Sequence, residues 1–205
     1  MRALASLLAF LTLSACFDAE MVLDFKDQTK VETTVITKLN RALYDMSTID
    51  GGDPCEGGTS SLAEDTFTCS QSAEMTIEEA IARPNPFGKD GQFDPAEGMT
   101  IKRIDDNTLR VTVDLDELDS PDNAPEGMEG MEGMAAAAFA GHSIIFRVRG
   151  YEILNTTGTL SDDRKEAALV IPITGLIAGN PGVTSPFVTT VKLAPKCLFF
   201  GLFCD

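Results

Sequence analysis

Polar and apolar positions alternate along much of this chain, and the dominant period is two. Ala19, Met21, Leu23 and Phe25 take one parity, and Glu20, Asp24 and Lys26 take the other, which predicts a strand with one buried face. Asp27, Gln28 and Thr29 read as a turn. Beyond it Val31, Val35 and Leu39 share one parity against Glu32, Thr34 and Lys38, so the two strands are expected to form an antiparallel hairpin. Residues 39–46 read as one or two helical turns, and the Gly- and Ser-rich residues 48–61 as a loop holding Cys55. Thr76 followed three residues later by Glu79 is a capping-box signature, which opens a short helix that Pro84 ends. Residues 84–98 read as loop.

A second hairpin is predicted for residues 101–104 and 109–115, around Asp105, Asp106 and Asn107. Leu109, Val111, Val113 and Leu115 point one way, and Thr108, Arg110, Thr112 and Asp114 the other, the pattern of an antiparallel sheet wet on one side. Residues 142–150 return to strand, with Ile144, Phe146 and Val148 inward and Arg147 and Arg149 outward. Residues 155–158 and 161–163 read as turns. Residues 167–173 read as a strand whose end Pro172 places at an edge, and Phe187, Val191 and Leu193 as a last strand. The expected fold class is α+β: an antiparallel β-sheet with a few short helices.

The first sixteen residues follow none of these patterns. Arg2 gives a positive start, an apolar run follows, and Leu13-Ser14-Ala15-Cys16 closes it. The run is too short to span a bilayer and has the layout of a secretory signal peptide. The cysteine after small residues resembles the lipobox of bacterial lipoproteins. That resemblance implies acylation of Cys16, by palmitate and similar chains, and removal of residues 1–15 as signal peptide. It implies attachment to the membrane through a lipid anchor. Phe17 rather than Asp after the cysteine resembles, in a Gram-negative host, lipoproteins sent to the outer membrane, facing the periplasm. Residues 16–205 then form a single α+β domain with a Gly-, Met- and acid-rich insertion near 116–134.

Charge narrows the partners. The chain carries a formal net charge of −16, a field that repels nucleic acid and anionic headgroups, so no nucleic-acid role is expected and the acyl chains must supply the membrane attachment. Of the five cysteines, four remain after Cys16, an even number in an exported chain. Disulfides are expected, and four cysteines allow three pairings, of which the local one joins Cys55 to Cys69 and Cys197 to Cys204; none of the spacings is C-x-x-C, so no zinc site is expected. The tail between Cys197 and Cys204 holds Leu198, Phe199, Phe200, Leu202 and Phe203 and is expected to dock on the domain, with the surface of the membrane that holds Cys16 as the alternative home.

The order of elements, from the lipobox through Ile144–Val148, Asn155-Thr156-Thr157-Gly158 and Ala168–Ile173, resembles LppM-like bacterial lipoproteins over residues 17–46 and 142–175. That resemblance implies a mixed α+β envelope domain without enzymatic activity, and it brings no catalytic residue with it. Those proteins often end in a membrane helix, and this chain does not.

Three features of the sequence bear on a possible site. Met128, Met131 and Met134 recur every three residues in a Glu-Gly-Met repeat, and His142 follows; thioethers in the periplasm can bind Cu(I), whereas packing or a flexible repeat is the plainer reading. Asp114, Asp116, Glu117, Asp119 and Asp122 are hard ligands, but the Gly and terminal Glu of a calcium loop are missing. One histidine, no G-x-S-x-G elbow and no phosphate-binding Gly loop argue against an enzyme. The expectation is therefore a lipid-anchored, non-catalytic envelope protein of binding or structural type, with no cofactor or metal, whose partner is an envelope protein or lipid. The alternative is a periplasmic carrier of a hydrophobic or lipidic ligand, which would need a continuous apolar cavity.

Overall fold

The computed structural model describes residues 17–49, 51–84, 98–115, 136–137, 139–178, 182–183 and 186–195, and the backbone of 197–198 and 203–204. Within them the fold is mostly antiparallel β-sheet with three short helices. Cys16, the insertion at 116–134 with Met128, Met131 and Met134, and the side chains of Cys197 and Cys204 lie outside the described residues.

The first hairpin is β1 (Phe17–Phe25) and β2 (Lys30–Asn40), paired from Phe17 opposite Leu39 to Phe25 opposite Val31. Its turn is fixed by Asp27, whose Oδ1 accepts from Thr29 N at 2.6 Å, Thr29 Oγ1 at 2.7 Å and Lys30 N at 2.9 Å. Helix α1 (Arg41–Ser47) follows, capped by Asn40. Then come β3 (Thr59–Leu62) and β4 (Thr66–Thr76). Residues 59–61, expected in a loop, form an edge strand, because β4 offers them a free side to pair with. Thr76 opens α2 (Ile77–Ala82) with a complete capping box: its Oγ1 accepts from Glu79 N, and the Glu79 carboxylate accepts from Thr76 N.

The second hairpin is β5 (Met99–Asp105) and β6 (Thr108–Val113). It is followed by β7 (Ser143–Arg149), β8 (Glu152–Thr156), β9 (Thr159–Leu160), β10 (Glu166–Pro172), α3 (Ile173–Ile177) and β11 (Phe187–Lys192). Asn155 and Thr156 belong to β8, so the expected turn is confined to residues 157–158. A small ladder pairs β12 (Cys197–Leu198) with β13 (Phe203–Cys204), which sets the backbone of Cys197 opposite that of Cys204.

Two larger sheets result. One has seven strands in the order β3-β4-β2-β1-β7-β10-β9; the other has four, β5-β6-β11-β8. The expectation of an antiparallel sheet needs one correction. β1 and β7 are parallel, Ala19 opposite Ile144 through Asp24 opposite Arg149. The chain leaves the large sheet after β4, builds β5 and β6 in the other, and returns to lie beside β1, so the hairpin rule does not govern that pair.

One hydrophobic core draws on both sheets. Met21, Leu23, Phe25, Phe146, Val148, Ala167 and Ile171 come from the large sheet; Ile101, Leu109, Val111, Val113, Ile153, Phe187 and Val191 come from the small one. Leu115 joins them, so the alternation read in the sequence is buried at every step from Leu109. Two glycines lie where a side chain has no room. A Cβ on Gly150 would meet Val191 Cγ2 at 2.3 Å, and one on Gly158 would meet the Ala168 carbonyl oxygen at 2.4 Å. A smaller cluster lies on the same side of the large sheet, toward its β3–β4 edge. There the Cys55–Cys69 disulfide, with Cα atoms 5.4 Å apart, packs with Phe67, Leu39 and Tyr44.

Candidate functional site

The outer face of the large sheet is charged, and strand register decides which charges meet. One row across the sheet reads Glu74, Glu32, Asp24, Arg149, Glu166. Acids directly opposite one another destabilise a sheet. Two lysines near the β1–β2 turn offset this: Lys26 Nζ reaches Asp24 at 2.6 Å and Glu32 at 3.1 Å, and Lys30 pairs with Glu74.

The next charges form a network centred on Glu166. Arg149 Nε donates to Glu166 Oε2 at 2.6 Å; Arg147 Nη1 donates to Oε1 at 2.5 Å, and its Nε donates to Glu20 at 2.6 Å. Burial alone would lift the Glu166 carboxyl, but the Arg149 and Arg147 guanidiniums outweigh it and hold the group below the ordinary carboxylate range. Burial likewise works against the charge of Arg147, and the bonds to Glu20 and Glu166 overcome it and raise its affinity for the proton. Val22, opposite Arg147, is only 6 % exposed although it points to this outer side, consistent with long side chains lying over it.

At one end of this face lies an open cavity of about 440 Å³, lined by Asp24, Arg149, Gly150, Ser161, Asp163, Lys165 and Glu166. Its wall is the turn between β9 and β10. Ser161 Oγ donates to Asp163 Oδ1 at 2.7 Å and accepts from Glu166 N at 3.0 Å, while Asp163 Oδ1 also accepts from Lys165 N at 3.1 Å. These bonds, led by the Ser161 hydroxyl, hold the Asp163 carboxyl below its ordinary value. Arg164 adopts the left-handed conformation, with φ 56°, uncommon for a residue with a side chain. Its Nη2 donates to the carbonyls of Ile153 at 2.9 Å and Leu154 at 3.2 Å, which ties the turn to β8. Gly150 N donates to Lys165 O at 3.1 Å and closes the wall against the β7–β8 turn.

Three carboxylates and two cations therefore line a cavity with a hydrogen-bonded, pre-formed wall. Such a site can recognise a polar or charged group by ion pairs and hydrogen bonds. Within that wall the Ser161 hydroxyl donates to the Asp163 carboxylate rather than to an imidazole. His142 precedes β7 at the opposite end, where its Nδ1 faces Asp18 Oδ2 at 3.3 Å and Ser143 N donates to Asp18 Oδ1 at 3.0 Å. Among the described residues no group of three or more His, Cys, Asp or Glu side chains converges as a metal site. Asp114 stands among them without Asp116, Glu117, Asp119 and Asp122, which lie outside the described residues, as do Met128, Met131 and Met134.

The charged cavity is absent from the expectations drawn from sequence. The outward alternation of Arg147 and Arg149 is the signal that bears on it; their partners Glu20, Asp24 and Glu166 reach them only through the sheet register. No protein-family model matches this chain, and no curated protein matches it. Among solved structures it is similar to the NMR structure of the folded domain of LppM from Mycobacterium tuberculosis, with a TM-score of 0.48 and 13 % sequence identity over 88 % of this chain and 91 % of that one. A likeness of that strength carries no functional residue across.

Proposed function

We propose that this protein is a lipid-anchored, non-catalytic interaction module of the bacterial cell envelope, held at the membrane by acylated Cys16. The observation that carries this reading is the position of the first strand. The described β1 begins at Phe17, directly after Leu13-Ser14-Ala15-Cys16, so the chain left by cleavage before Cys16 keeps every described strand. No described helix is long and apolar enough to cross a membrane, which leaves the acyl chains as the proposed anchor. In a Gram-negative host the expected position is the periplasmic side of the outer membrane.

The binding partner is taken to be a polar or charged envelope component, because the cavity is lined by ion pairs. A lipid carrier would instead present an apolar one. The test is Cys16→Ser in the native host, followed by membrane fractionation and mass spectrometry of the N-terminus. The variant is expected in the soluble fraction or unprocessed. A membrane-bound variant with a normally cleaved N-terminus would overturn the anchoring.

A further inference from the structure

The anchor end of the domain carries more than the anchor. Phe17, peptide-bonded to Cys16, is opposite Leu39 at one end of the large sheet. From Leu39 the chain passes through Asn40 into α1, and Arg41 N donates to Asp65 O at 3.0 Å, which ties α1 to the β3–β4 turn at the same end. Met46 on α1 is 66 % exposed and Ile49 just beyond it 77 % exposed, the two highest values among the exposed large hydrophobic residues described. Leu62, opposite Phe67 at this end, is 45 % exposed.

These side chains are held outward by what packs behind them. The Tyr44 ring stacks on Phe67 with centroids 4.4 Å apart, beside the Cys55–Cys69 disulfide. Thr48 N and Ile49 N bond back to Tyr44 O and Met46 O, so Ile49 is fastened to α1. Tyr44 thus seats one side of α1, and Met46 and Ile49 remain uncovered.

Position then names the occupant. One residue of extended chain reaches at most ~3.6 Å, so an acylated Cys16 cannot hold the domain away from the lipid. β4 is two strands from β1, and strands lie ~4.8 Å apart, so α1 and the β3–β4 turn fall within roughly 15 Å of the anchor. We propose that the Phe17 end of the large sheet, with Met46, Ile49 and Leu62, lies directly on the phospholipid surface that holds acylated Cys16. This rests on the anchoring proposed above. Glu64 and Asp65 at this end oppose anionic headgroups, so the anchor brings the surface down and the apolar side chains then seat in zwitterionic lipid. The nine residues of β1 rise ~3.3 Å each, which sets the cavity around Arg149 roughly 25 Å above that surface, facing water and a soluble or facing partner.

The chain contains no Trp, so one introduced Trp reports alone. Full-length Ile49→Trp, Met46→Trp and Tyr151→Trp proteins are purified from membranes and reconstituted into phosphatidylcholine vesicles with brominated acyl chains. Tyr151, 51 % exposed beside Gly150, marks the far end. A side chain seated ~5–10 Å into the headgroup boundary should lose about half its emission or more, so Ile49→Trp and Met46→Trp are expected to be quenched and Tyr151→Trp not. All three positions are exposed, so each variant is expected to fold. Equal quenching at both ends, or none at Ile49 and Met46, overturns the proposal while protein that floats with the vesicles and carries acyl mass on Cys16 keeps the anchoring intact. If Cys16 carries no acyl mass and the protein does not float, both fall together.

Discussion

Gly150 lines the charged cavity and packs against Val191 of the small sheet, and it offers a quantitative test of the packing. Its φ lies outside the left-handed region, so Ala can adopt the backbone; the obstacle is space. An added Cβ would sit 2.3 Å from Val191 Cγ2, but 3.4 Å from Lys192 O and 3.8 Å from Val191 Cβ. A single methyl group is therefore in the way. Overpacking of this kind costs about 1–3 kcal/mol. Val191→Ala alone deletes two fully buried methyl carbons and should cost about 2 kcal/mol. Together the two substitutions should cost less than their sum, because Val191→Ala removes the atom that Gly150→Ala strikes. A coupling of about 1–2 kcal/mol is expected. At roughly 2–4 °C per kcal/mol for a chain of this size, Gly150→Ala lowers Tm by several degrees, and the double variant recovers part of it. The assay is thermal and urea unfolding of the four proteins of the cycle. Additivity within ~0.5 kcal/mol would refute the close approach. Gly158→Ala is the internal contrast: its clash includes the Ala168 backbone oxygen, which no side-chain truncation clears.

Two further outcomes follow from single groups. Thr33 is fully buried on the core side of β2, opposite Leu23 and Ala73, and among the described residues its Oγ1 has no hydrogen-bond partner. Thr33→Val keeps the shape and should raise stability by about 1 kcal/mol in urea unfolding; a destabilised variant would show that the hydroxyl is bonded. Glu166 gives the pH dependence: its folded pKa is depressed, so its contribution is fully present above the unfolded value of ~4.3 and is lost as pH falls through the folded one. The Tm gap between the native protein and Glu166→Gln should be open at pH 7 and narrow as pH falls below the ordinary carboxylate range; a gap that does not change with pH contradicts the Arg147–Glu166–Arg149 network.

How much of this was legible in the sequence depends on the distance over which each feature is specified. The capping box at Thr76 and Glu79, the Asp27 turn and the Leu109–Val111–Val113–Leu115 stripe are written within a few residues, and each appears where its spacing placed it. β4 is harder to read. Its core side carries Phe67, Cys69, Ala73 and Met75, interrupted by Gln71, and its other side is mostly Thr and Ser, so the contrast between parities is low. β8 offers the single buried apolar residue Ile153. The charged face fails to show for a different reason. Alternation says that Arg147 and Arg149 point outward, but not toward which acids. Glu20 and Asp24 meet them only because β7 runs parallel to β1, and Glu166 only because β10 returns antiparallel on the other side. Were β7 to slip by one residue against β1, Ile144, Phe146 and Val148 would face the charged side, and the core would lose Phe146, which is 2 % exposed. The register that assembles the ion pairs is thus enforced from the opposite face, by apolar residues with no part in the site. A sequence lists the charges; only the buried side of the same strands determines which of them become neighbours.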